Sequence, residues 1–404
     1  PGGRAARTRR AVTAAARSGT KTADRPLVVL IAPDSFKGSL TSVEVARALA
    51  AGWARARPRD ELLLAPLADG GEGTLVAIEA AGGWEWRESA TTDPIGRPIP
   101  APWLRSTDGR RAVVELATAS GLSRLRADEL DPLGASTRGT GNLLRAALDD
   151  GVREITLGIG GSATNDGGAG ILEALGAVVS PGREQVEHID LSGLDPRLSE
   201  THLRIACDVT NPLLGERGAA ATYGPQKGAK PDDVAELDRR LGHHADALER
   251  ATGRVERDTP GAGAAGGTGF GLLAVADHFA SLALVPGIDV VMAAADFDGK
   301  LARADLVITG EGRIDEQTAF GKTALGVAKR ASAVGAPCIA IGGGVTAEGI
   351  EALRATGAVV VPVVERPQTV DEAMAAGPDP VERCGERIAR LIDLGRGLAA
   401  SSGS

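Results

Sequence analysis

The sequence predicts an α/β protein with a largely parallel sheet and room for a second domain. Continuous apolar runs, such as LVVLIA at residues 27–32, are typical of strands buried on both faces, and they alternate with amphipathic helices. Aromatic residues make up only 2% of the chain, so alanine, glycine and valine fill the interior. At 404 residues the chain is long enough for two domains. These observations favour close-packed layers of helices and sheets.

The first predicted helix follows the strand at 27–32 and the polar loop after it. The segment TSVE at residues 41–44 has the spacing of a capping box, which marks a helix start. One face of this helix carries the apolar residues Ala46, Leu49, Ala50 and Trp53. Pro58 ends it.

The pattern of predicted strands and helices changes twice along the rest of the chain. Between residues 84 and 116 the segments are short and no helix separates them, which indicates antiparallel strands and a new domain. The parallel pattern returns near residue 286. Further strands are predicted at 62–65, 112–116, 155–159, 203–207, 305–309, 337–341 and 358–363, and further helices at 142–148 and 234–248.

Charge and cysteine content exclude several classes of protein. The net charge is −8 and the pI about 5.4, so we expect neither a nucleic-acid surface nor binding to anionic membranes. The three cysteines are far apart and show no metal-ligand spacing, which fits a reducing cytosol. The sequence has no apolar run of about 18 residues, as a transmembrane helix would need. We therefore expect a cytoplasmic protein.

The two ends of the chain are predicted to be disordered tails. Residues 1–25 are basic and rich in Ala, Ser and Thr, as in a transit peptide, but they lack the apolar stretch of a secretory signal. A disordered tail or an over-long start is the favoured interpretation. Residues 396–404 are too small and polar to pack.

The most informative stretch is LGIGGSATNDGGAGILEALG at residues 157–176. A short apolar run breaks into glycines and then resumes at helical spacing, which predicts a strand, a loop and a helix. Glycines let the backbone approach a ligand closely, and a helix start offers unpaired N–H groups that suit a phosphate. The alternative is a tight turn without a ligand.

Two nucleotide-binding motifs were weighed and set aside. Gly158, Gly160 and Ala163 match the dinucleotide fingerprint, but no acidic residue follows about 20 positions later to hold a ribose. A second match at 261–266 follows a polar segment instead of a strand. The segment FGKT at 320–323 ends like a P-loop, but the first glycine of that motif would fall at Glu316. An oxidoreductase and a Walker A protein are therefore disfavoured.

Loops rich in glycine, acids and lysine follow five predicted strands. The carboxyl ends of parallel strands meet at one edge of a sheet, where ligands bind, so we expect these loops to converge. Each loop alone is only a turn, and Asp69 and Glu72 have the alternative role of helix caps. The loops are DSFKGS (34–39), DGGEGT (69–74), GIGGSATNDGG (158–168), CDVTNPLLG (207–215) and TGEGRID (309–315).

The chemistry of these loops suits phosphoryl transfer, in which positioning and charge neutralisation supply most of the catalysis. One carboxylate would accept the proton of the acceptor hydroxyl, others would hold Mg²⁺, and lysines would meet the phosphate. Only seven of the 45 basic residues are lysines, so a lysine in a loop suggests that a compact positive charge is needed there, as at a phosphate. Chance placement on an exposed loop is the alternative for any single lysine. The five histidines lie outside the loops, which disfavours a Ser/His/Asp hydrolase or a zinc enzyme. The carboxylates are Asp34, Asp69, Glu72, Asp166, Asp208, Glu311 and Asp315, and the lysines are Lys37, Lys227 and Lys322.

Six blocks of the sequence resemble those of the bacterial glycerate kinase family. They occur in the family's order between about residues 27 and 394 and are long enough to be specific. Thr268 and Glu316 depart from the pattern, where a larger residue and a glycine are expected. The blocks are IAPDSFKGSLTSVEVA (31–46), PLADGGEGT (66–74), GIGGSATNDGGAG (158–170), ACDVTNPLLGERGAAATYGPQKGA (206–229), PGAGAAGGTGFGLLA (260–274) and DLVITGEGRIDEQTAFGKT (305–323).

This resemblance implies a type I enzyme that uses ATP and Mg²⁺ to phosphorylate D-glycerate, at the 2-hydroxyl. It also implies two α/β domains with the active-site cleft between them. The first is discontinuous and Rossmann-like, residues 26–83 and 286–395, and the second, residues 84–285, is inserted into it. We expect a monomer or homodimer.

Residue roles were predicted for the two walls of that cleft. Asp34, Ser35, Lys37, Asp69 and Glu72 are expected on one wall, with Lys37 on phosphate. The glycine loop at 158–168 is expected on the other, together with Asp208 and Asn211. Asp208 or Asp69 is the predicted base, and Asp166 and Asp208 are the predicted metal ligands. Further substrate or phosphate contacts were assigned to Gly160, Gly161, Ser162, Asn165, Asp166, Lys227, Gly266, Gly267, Glu311, Asp315 and Lys322.

Two other functions remain open at this point. One is a kinase of another small hydroxy acid with the same phosphate chemistry. The other is a regulatory protein that binds an anionic metabolite on the same fold.

Overall fold

The computed structural model describes residues 25–68, 71, 73–181, 186–316, 318 and 323–401. The strands are Val28–Pro33 (β1), Glu61–Leu64 (β2), Trp84–Thr92 (β3), Pro98–Ser106 (β4), Arg111–Glu115 (β5), Glu154–Gly158 (β6), Val178–Pro181 (β7), Val186–Asp190 (β8), His202–Ala206 (β9), Ser281–Val285 (β10), Leu306–Ile314 (β11), Cys338–Val345 (β12) and Val359–Pro362 (β13). The helices are Ser42–Ala56 (α1), Thr74–Ala80 (α2), Ala117–Ser120 (α3), Arg138–Asp149 (α4), Ala169–Ala174 (α5), Ala219–Tyr223 (α6), Pro231–Thr252 (α7), Ala264–Ala274 (α8), Gly287–Ala294 (α9), Phe297–Arg303 (α10), Thr323–Ala333 (α11), Ala347–Arg354 (α12), Val370–Ala375 (α13) and Asp379–Ser401 (α14). Within these ranges, no helix combines the length and apolar character needed to cross a bilayer.

The strands form two main sheets, each built around parallel pairs. The five-stranded sheet has the order β13-β12-β11-β1-β2, and every neighbouring pair in it is parallel. The six-stranded sheet has the order β10-β9-β6-β5-β4-β3 and is parallel from β10 to β5 and antiparallel from β5 to β3. β7 and β8 form a separate antiparallel pair. The predicted α/β class and the antiparallel strands after residue 84 are confirmed.

The two sheets come from different parts of the chain but share an apolar core. All strands of the six-stranded sheet lie within 84–285, and those of the five-stranded sheet lie on either side of that range. One buried cluster contains Leu30 and Val307 of the five-stranded sheet together with Leu104 and Val113 of the six-stranded sheet. The same cluster includes Leu75 of α2 and Val291 of α9, so a continuous apolar interior connects the two sheets. The domain boundaries at 84 and 286 stay predictions.

β11 is longer than the sequence predicts, and this corrects one predicted loop. Residues 309–315 were expected to form a loop, whereas β11 runs to Ile314 and pairs with β12 through Glu311 opposite Gly342. A Cβ on Gly310 would lie only 2.4 Å from Ile341 Cγ1 of the neighbouring strand. The glycine therefore permits close strand pairing here and does not mark a turn.

The capping box at the start of α1 is confirmed. Thr41 Oγ1 accepts a hydrogen bond from Glu44 N (3.2 Å), and Glu44 Oε2 accepts one from Thr41 N (2.8 Å). Leu49 and Trp53 are fully buried on the inner face of this helix. The polar cap therefore orients an apolar face towards the five-stranded sheet.

Replacing Thr41 with alanine should lower the free energy of unfolding by about 1 kcal/mol, because Glu44 N loses its acceptor. Urea titration followed by circular dichroism measures this change. Thr41→Ser keeps a hydroxyl at the same position and is the matched control. Equal stability of the alanine variant and the parent would contradict the assignment.

Candidate active site

The glycine-rich stretch forms a strand, a loop and a helix, as predicted. β6 ends at Gly158, and α5 begins at Ala169. The loop between them contains Gly161, Gly167 and Gly168, whose φ angles are +71°, +64° and +81°. Residues with a Cβ rarely adopt such angles, so these glycines set the path of the loop.

The start of α5 is capped by Asp166 of the same loop. Asp166 Oδ1 accepts from Gly168 N (3.2 Å), and Asp166 Oδ2 accepts from Gly170 N (3.2 Å). Thr137 N and Thr137 Oγ1 also donate to Oδ2, at 2.7 and 2.8 Å. The protein's own carboxylate therefore lies at this helix start, and the predicted phosphate contacts of the loop stay predictions. These bonds favour a role for Asp166 in holding the loop over a role as a metal ligand.

An anion cradle remains in the loop before the helix. In the described part of the chain, the N–H groups of Gly160, Gly161 and Ser162 donate to no protein acceptor. Gly161 is exposed and Gly160 half-exposed. Successive backbone N–H groups of this kind can bind a phosphate or carboxylate oxygen, so this turn is a candidate anion cradle.

Lys227 is buried and does not lie on the protein surface, and its predicted contact with phosphate stays a prediction. Its side chain is 1% exposed, and Nζ donates to Thr164 O at 2.6 Å and lies 3.5 Å from Asn165 Oδ1. Burial lowers the pKa of Lys227 to about 7, and the nearby charge of Asp166 opposes that shift. A ligand in solvent cannot reach the buried ammonium group in this conformation. The lysine instead stabilises the loop through its hydrogen bond to Thr164 O.

The buried position of Lys227 predicts a pH dependence of stability. In the folded protein this amine loses its proton near pH 7, whereas in the unfolded chain it keeps it until about pH 10.5. The unfolded state binds more protons between these values, so the contribution of Lys227 to the unfolding free energy rises with pH above 7. Unfolding of the parent and of Lys227→Met, measured from pH 6 to 9, should diverge above pH 7. Parallel curves would contradict the assignment.

The second glycine run packs against the first, and the predicted ligand contacts of Gly266 and Gly267 stay predictions. Both residues are buried, and Gly266 O accepts from Gly167 N at 3.0 Å. A Cβ on Gly266 would lie 1.9 Å from Thr164 O. The absence of a side chain at Gly266 therefore allows the two backbones to pack closely.

Asp208 and Asn211 follow β9, next to β6 in the six-stranded sheet. Asp208 is exposed, and its Oδ1 accepts from Gly287 N, the first residue of α9, at 2.9 Å. Asn211 Nδ2 donates to Arg217 O at 2.8 Å, and its Oδ1 accepts from Tyr223 OH at 2.8 Å. The hydrogen bond from Gly287 N thus fixes Asp208 at the end of β9. The side-chain amide of Asn211 connects its loop to Arg217 and Tyr223.

Residues of the opposite predicted wall meet at the carboxyl end of β1. Asp34 N donates to Gly310 O (2.8 Å), and Asp34 Oδ2 accepts from Thr323 Oγ1 (2.7 Å). Ser35 N donates to Asp34 Oδ1 at 2.6 Å. Lys37 is exposed three residues after Asp34. This group therefore joins the loop after β1 to the start of α11.

Glu311 and Asp315 lie at the carboxyl end of β11, beside that group. Glu311 is 6% exposed, and its Oε1 accepts from Thr318 Oγ1 at 2.6 Å. Thr318 Oγ1 accepts in turn from Asp315 N at 3.1 Å. The two acids therefore form the turn that ends β11, and Asp315 also pairs with Arg313 (3.1 Å).

Comparison with known proteins identifies the family. The sequence profile of the glycerate kinase family matches residues 29–393. The chain belongs to the glycerate kinase family. The predicted resemblance is confirmed, and the chain is an enzyme, a kinase.

Characterised relatives and one solved structure agree in length with this chain. A glycerate kinase of Halalkalibacterium halodurans is 44% identical over 373 residues, 89% of this chain and 97% of its own. A glycerate 2-kinase of Escherichia coli is 42% identical over 385 residues, 91% of this chain and 98% of its own. The crystal structure of a glycerate kinase 2 from Salmonella typhimurium LT2 matches with a TM-score of 0.81 and 41% identity, and covers 92% of this chain and 100% of that one.

Glu115 is an acidic residue of the glycerate kinase fold that sequence reasoning missed. It ends β5, is 4% exposed, and its Oε1 accepts from Leu75 N of α2 at 2.8 Å. The predicted strand at 112–116 contains this acid, but no glycine follows it closely, so the loop criterion passed over it. The presence of a charged residue, Glu115, in an otherwise apolar predicted strand is the sequence feature that could have singled it out.

Three predicted site residues lie outside the described part of the chain. They are Asp69, Glu72 and Lys322. Their assigned roles stay predictions.

The predicted magnesium ion is compatible with part of the donor set. Among the described residues, no group of three His, Cys, Asp or Glu side chains lies close enough to hold a metal ion. Mg²⁺ in kinases is held by one or two carboxylates together with substrate phosphates, so such a group is not required. The exposed Asp208 fits this need, whereas Asp166 is already bonded to four backbone and hydroxyl donors.

Proposed function

We propose that this chain phosphorylates D-glycerate with ATP and releases 2-phospho-D-glycerate and ADP. The N–H groups of Gly160–Ser162, which have no acceptor among the described residues, support the proposal, because they can bind an anion at the end of β6, and Asp208 follows the neighbouring strand β9. The name of the Escherichia coli relative, a glycerate 2-kinase, supports the 2-hydroxyl as the acceptor.

In the proposed mechanism the cradle binds an anionic oxygen of a substrate, either a phosphate or the glycerate carboxylate. The exposed ammonium of Lys37 neutralises charge on the transferred phosphoryl group. Asp208 would hold Mg²⁺ or act as the base, and the ion when bound neutralises phosphate charge. As base, the Asp208 carboxylate accepts the proton of the 2-hydroxyl. The hydroxyl oxygen then forms a bond to the γ-phosphorus, and the bond from that phosphorus to the ADP oxygen breaks.

Phosphorus NMR of the product tests activity and regiochemistry together. A phosphate on C2 couples to one proton and should appear as a doublet, whereas a phosphate on C3 couples to two protons and gives a triplet. We expect the doublet with D-glycerate, ATP and Mg²⁺, and no product with L-glycerate. A triplet would overturn the assigned hydroxyl.

The same reaction mixture distinguishes the alternative functions. ADP release with another small hydroxy acid, and none with D-glycerate, would assign a different acceptor. Binding of D-glycerate measured by calorimetry without any ADP release would indicate a regulatory protein.

A further inference from the structure

Glu115 connects the two sheets directly at the edge where the candidate site lies. It ends β5 of the six-stranded sheet, and its carboxylate accepts from Leu75 N in the first turn of α2. α2 follows β2 of the five-stranded sheet. The hydrogen bond therefore spans the boundary between the two parts of the chain.

The residue that precedes α2 supplies no side-chain cap to the helix that Glu115 contacts. The residue before α2 is Gly73, with φ of +92° and no side chain to accept a hydrogen bond. A carboxylate at a helix start satisfies an N–H group and interacts favourably with the helix dipole. Among the residues that the structure describes, Glu115 of the opposite sheet supplies the side-chain acceptor for the first turn of α2.

The same strand end also holds the anion cradle. Leu116 N, directly after Glu115, donates to Gly158 O at 2.8 Å. Farther along this segment, Leu122 N donates to Gly161 O at 2.8 Å, and Ser120 O accepts from Ala163 N at 3.0 Å. The residues that follow Glu115 thus run along the glycine loop, while its side chain holds α2.

Asp208 makes a matching contact on the other side of the loop. β9, β6 and β5 are neighbours in that order, so Asp208 and Glu115 flank the loop that follows β6. Each carboxylate accepts from the first turn of a helix, α9 for Asp208 and α2 for Glu115. The residues that directly precede these helices, Gly73 and Pro286, make no side-chain cap hydrogen bond.

We propose that Glu115 is a positioning residue of the kinase reaction, which fixes the start of α2 relative to the anion cradle. This inference rests on the proposed function, because it assigns Glu115 a role in aligning the two substrates held on opposite sides of the boundary. Small misplacements of reacting groups reduce rates strongly, so the loss of this hydrogen bond is measurable in turnover.

Three variants test the proposal. Glu115→Ala removes the acceptor, and Glu115→Gln keeps an oxygen in the same place without the charge. Asp60→Ala is the matched control, because Asp60 is also buried and accepts from Leu27 N (2.9 Å) at the opposite end of the five-stranded sheet. We expect Glu115→Ala to lower kcat/KM for glycerate about 100-fold. Glu115→Gln should recover most of that loss, and Asp60→Ala should lower the melting temperature but keep kcat and KM near those of the parent.

Hydrogen exchange supplies a readout that needs no turnover. Amides of residues 73–80 should exchange faster in Glu115→Ala than in the parent, with no such change in Asp60→Ala. This comparison separates failure of the inference from failure of the proposed function. Unchanged exchange in α2, or unchanged kinetics in Glu115→Ala, would overturn the proposal. Equal impairment of the Gln and Ala variants would overturn it as well, because the charge itself would then act on the reacting groups.

Discussion

Replacing Asp208 with asparagine should lower kcat for D-glycerate phosphorylation about 1,000-fold, the loss typical of removing a general base. Asparagine keeps an oxygen that can accept from Gly287 N, so the contact with α9 is retained. The substitution therefore removes the charge and the proton acceptor with little change in structure. A coupled assay of ADP release measures the rate, and the melting temperature reports that the fold is intact.

The control for this prediction is Asp195→Asn. Asp195 also accepts from a backbone N–H, that of Arg197 at 3.0 Å, but it precedes β9 whereas Asp208 follows it. The control variant should turn over normally. If Asp208→Asn also turned over normally, the base would be another acid, and Asp69 is the remaining predicted candidate.

Replacing Lys227 with methionine should lower kcat/KM about 100-fold, because the loop that carries the cradle loses its support. Methionine fills a similar volume but cannot donate to Thr164 O, which then remains buried without the donor that Lys227 supplies at 2.6 Å. The neighbouring Asn165 and Asp166 are attached to the same loop. Steady-state kinetics with varied glycerate and varied ATP show which substrate depends on this loop.

Lys230→Met is the matched control for this loss, because Lys230 lies three residues farther along and is exposed. Its kinetic constants should match those of the parent, and its stability should change by less than about 0.5 kcal/mol. Unchanged kinetics in Lys227→Met would show that the cradle keeps its geometry without the buried ammonium group.

Much of the fold follows from patterns that are local in sequence. The apolar run at 27–32 predicts β1, and the Thr41–Glu44 capping box predicts the start of α1, because both depend on neighbouring residues. The loop at 309–315 was predicted wrongly for the same reason. Its glycines resemble a turn locally, but the pairing of Glu311 with Gly342 of β12 extends the strand.

The candidate site was predicted less completely than the fold. Sequence reasoning found the glycine loop at 158–168, but it could not show that Asp166 fills the helix start. Lys227 was expected beside phosphate because lysines are few among the basic residues of this chain and a loop lysine suggests a compact charge for an anion, whereas the structure places this side chain in the interior. Glu115 was missed because its partner, Leu75, is 40 residues away in sequence.

The sequence by itself determined the family, the α/β class and the supply of glycines and acids at strand ends, since these depend on residue type and short-range spacing. Only the tertiary structure decided which acids and lysines face solvent and which support the backbone. Burial and hydrogen-bond partners assign those roles, and both depend on segments far apart in the chain. Asp166 and Asp208 illustrate this, because both lie in loops that follow strands, yet Asp166 caps the start of α5 and Asp208 is exposed.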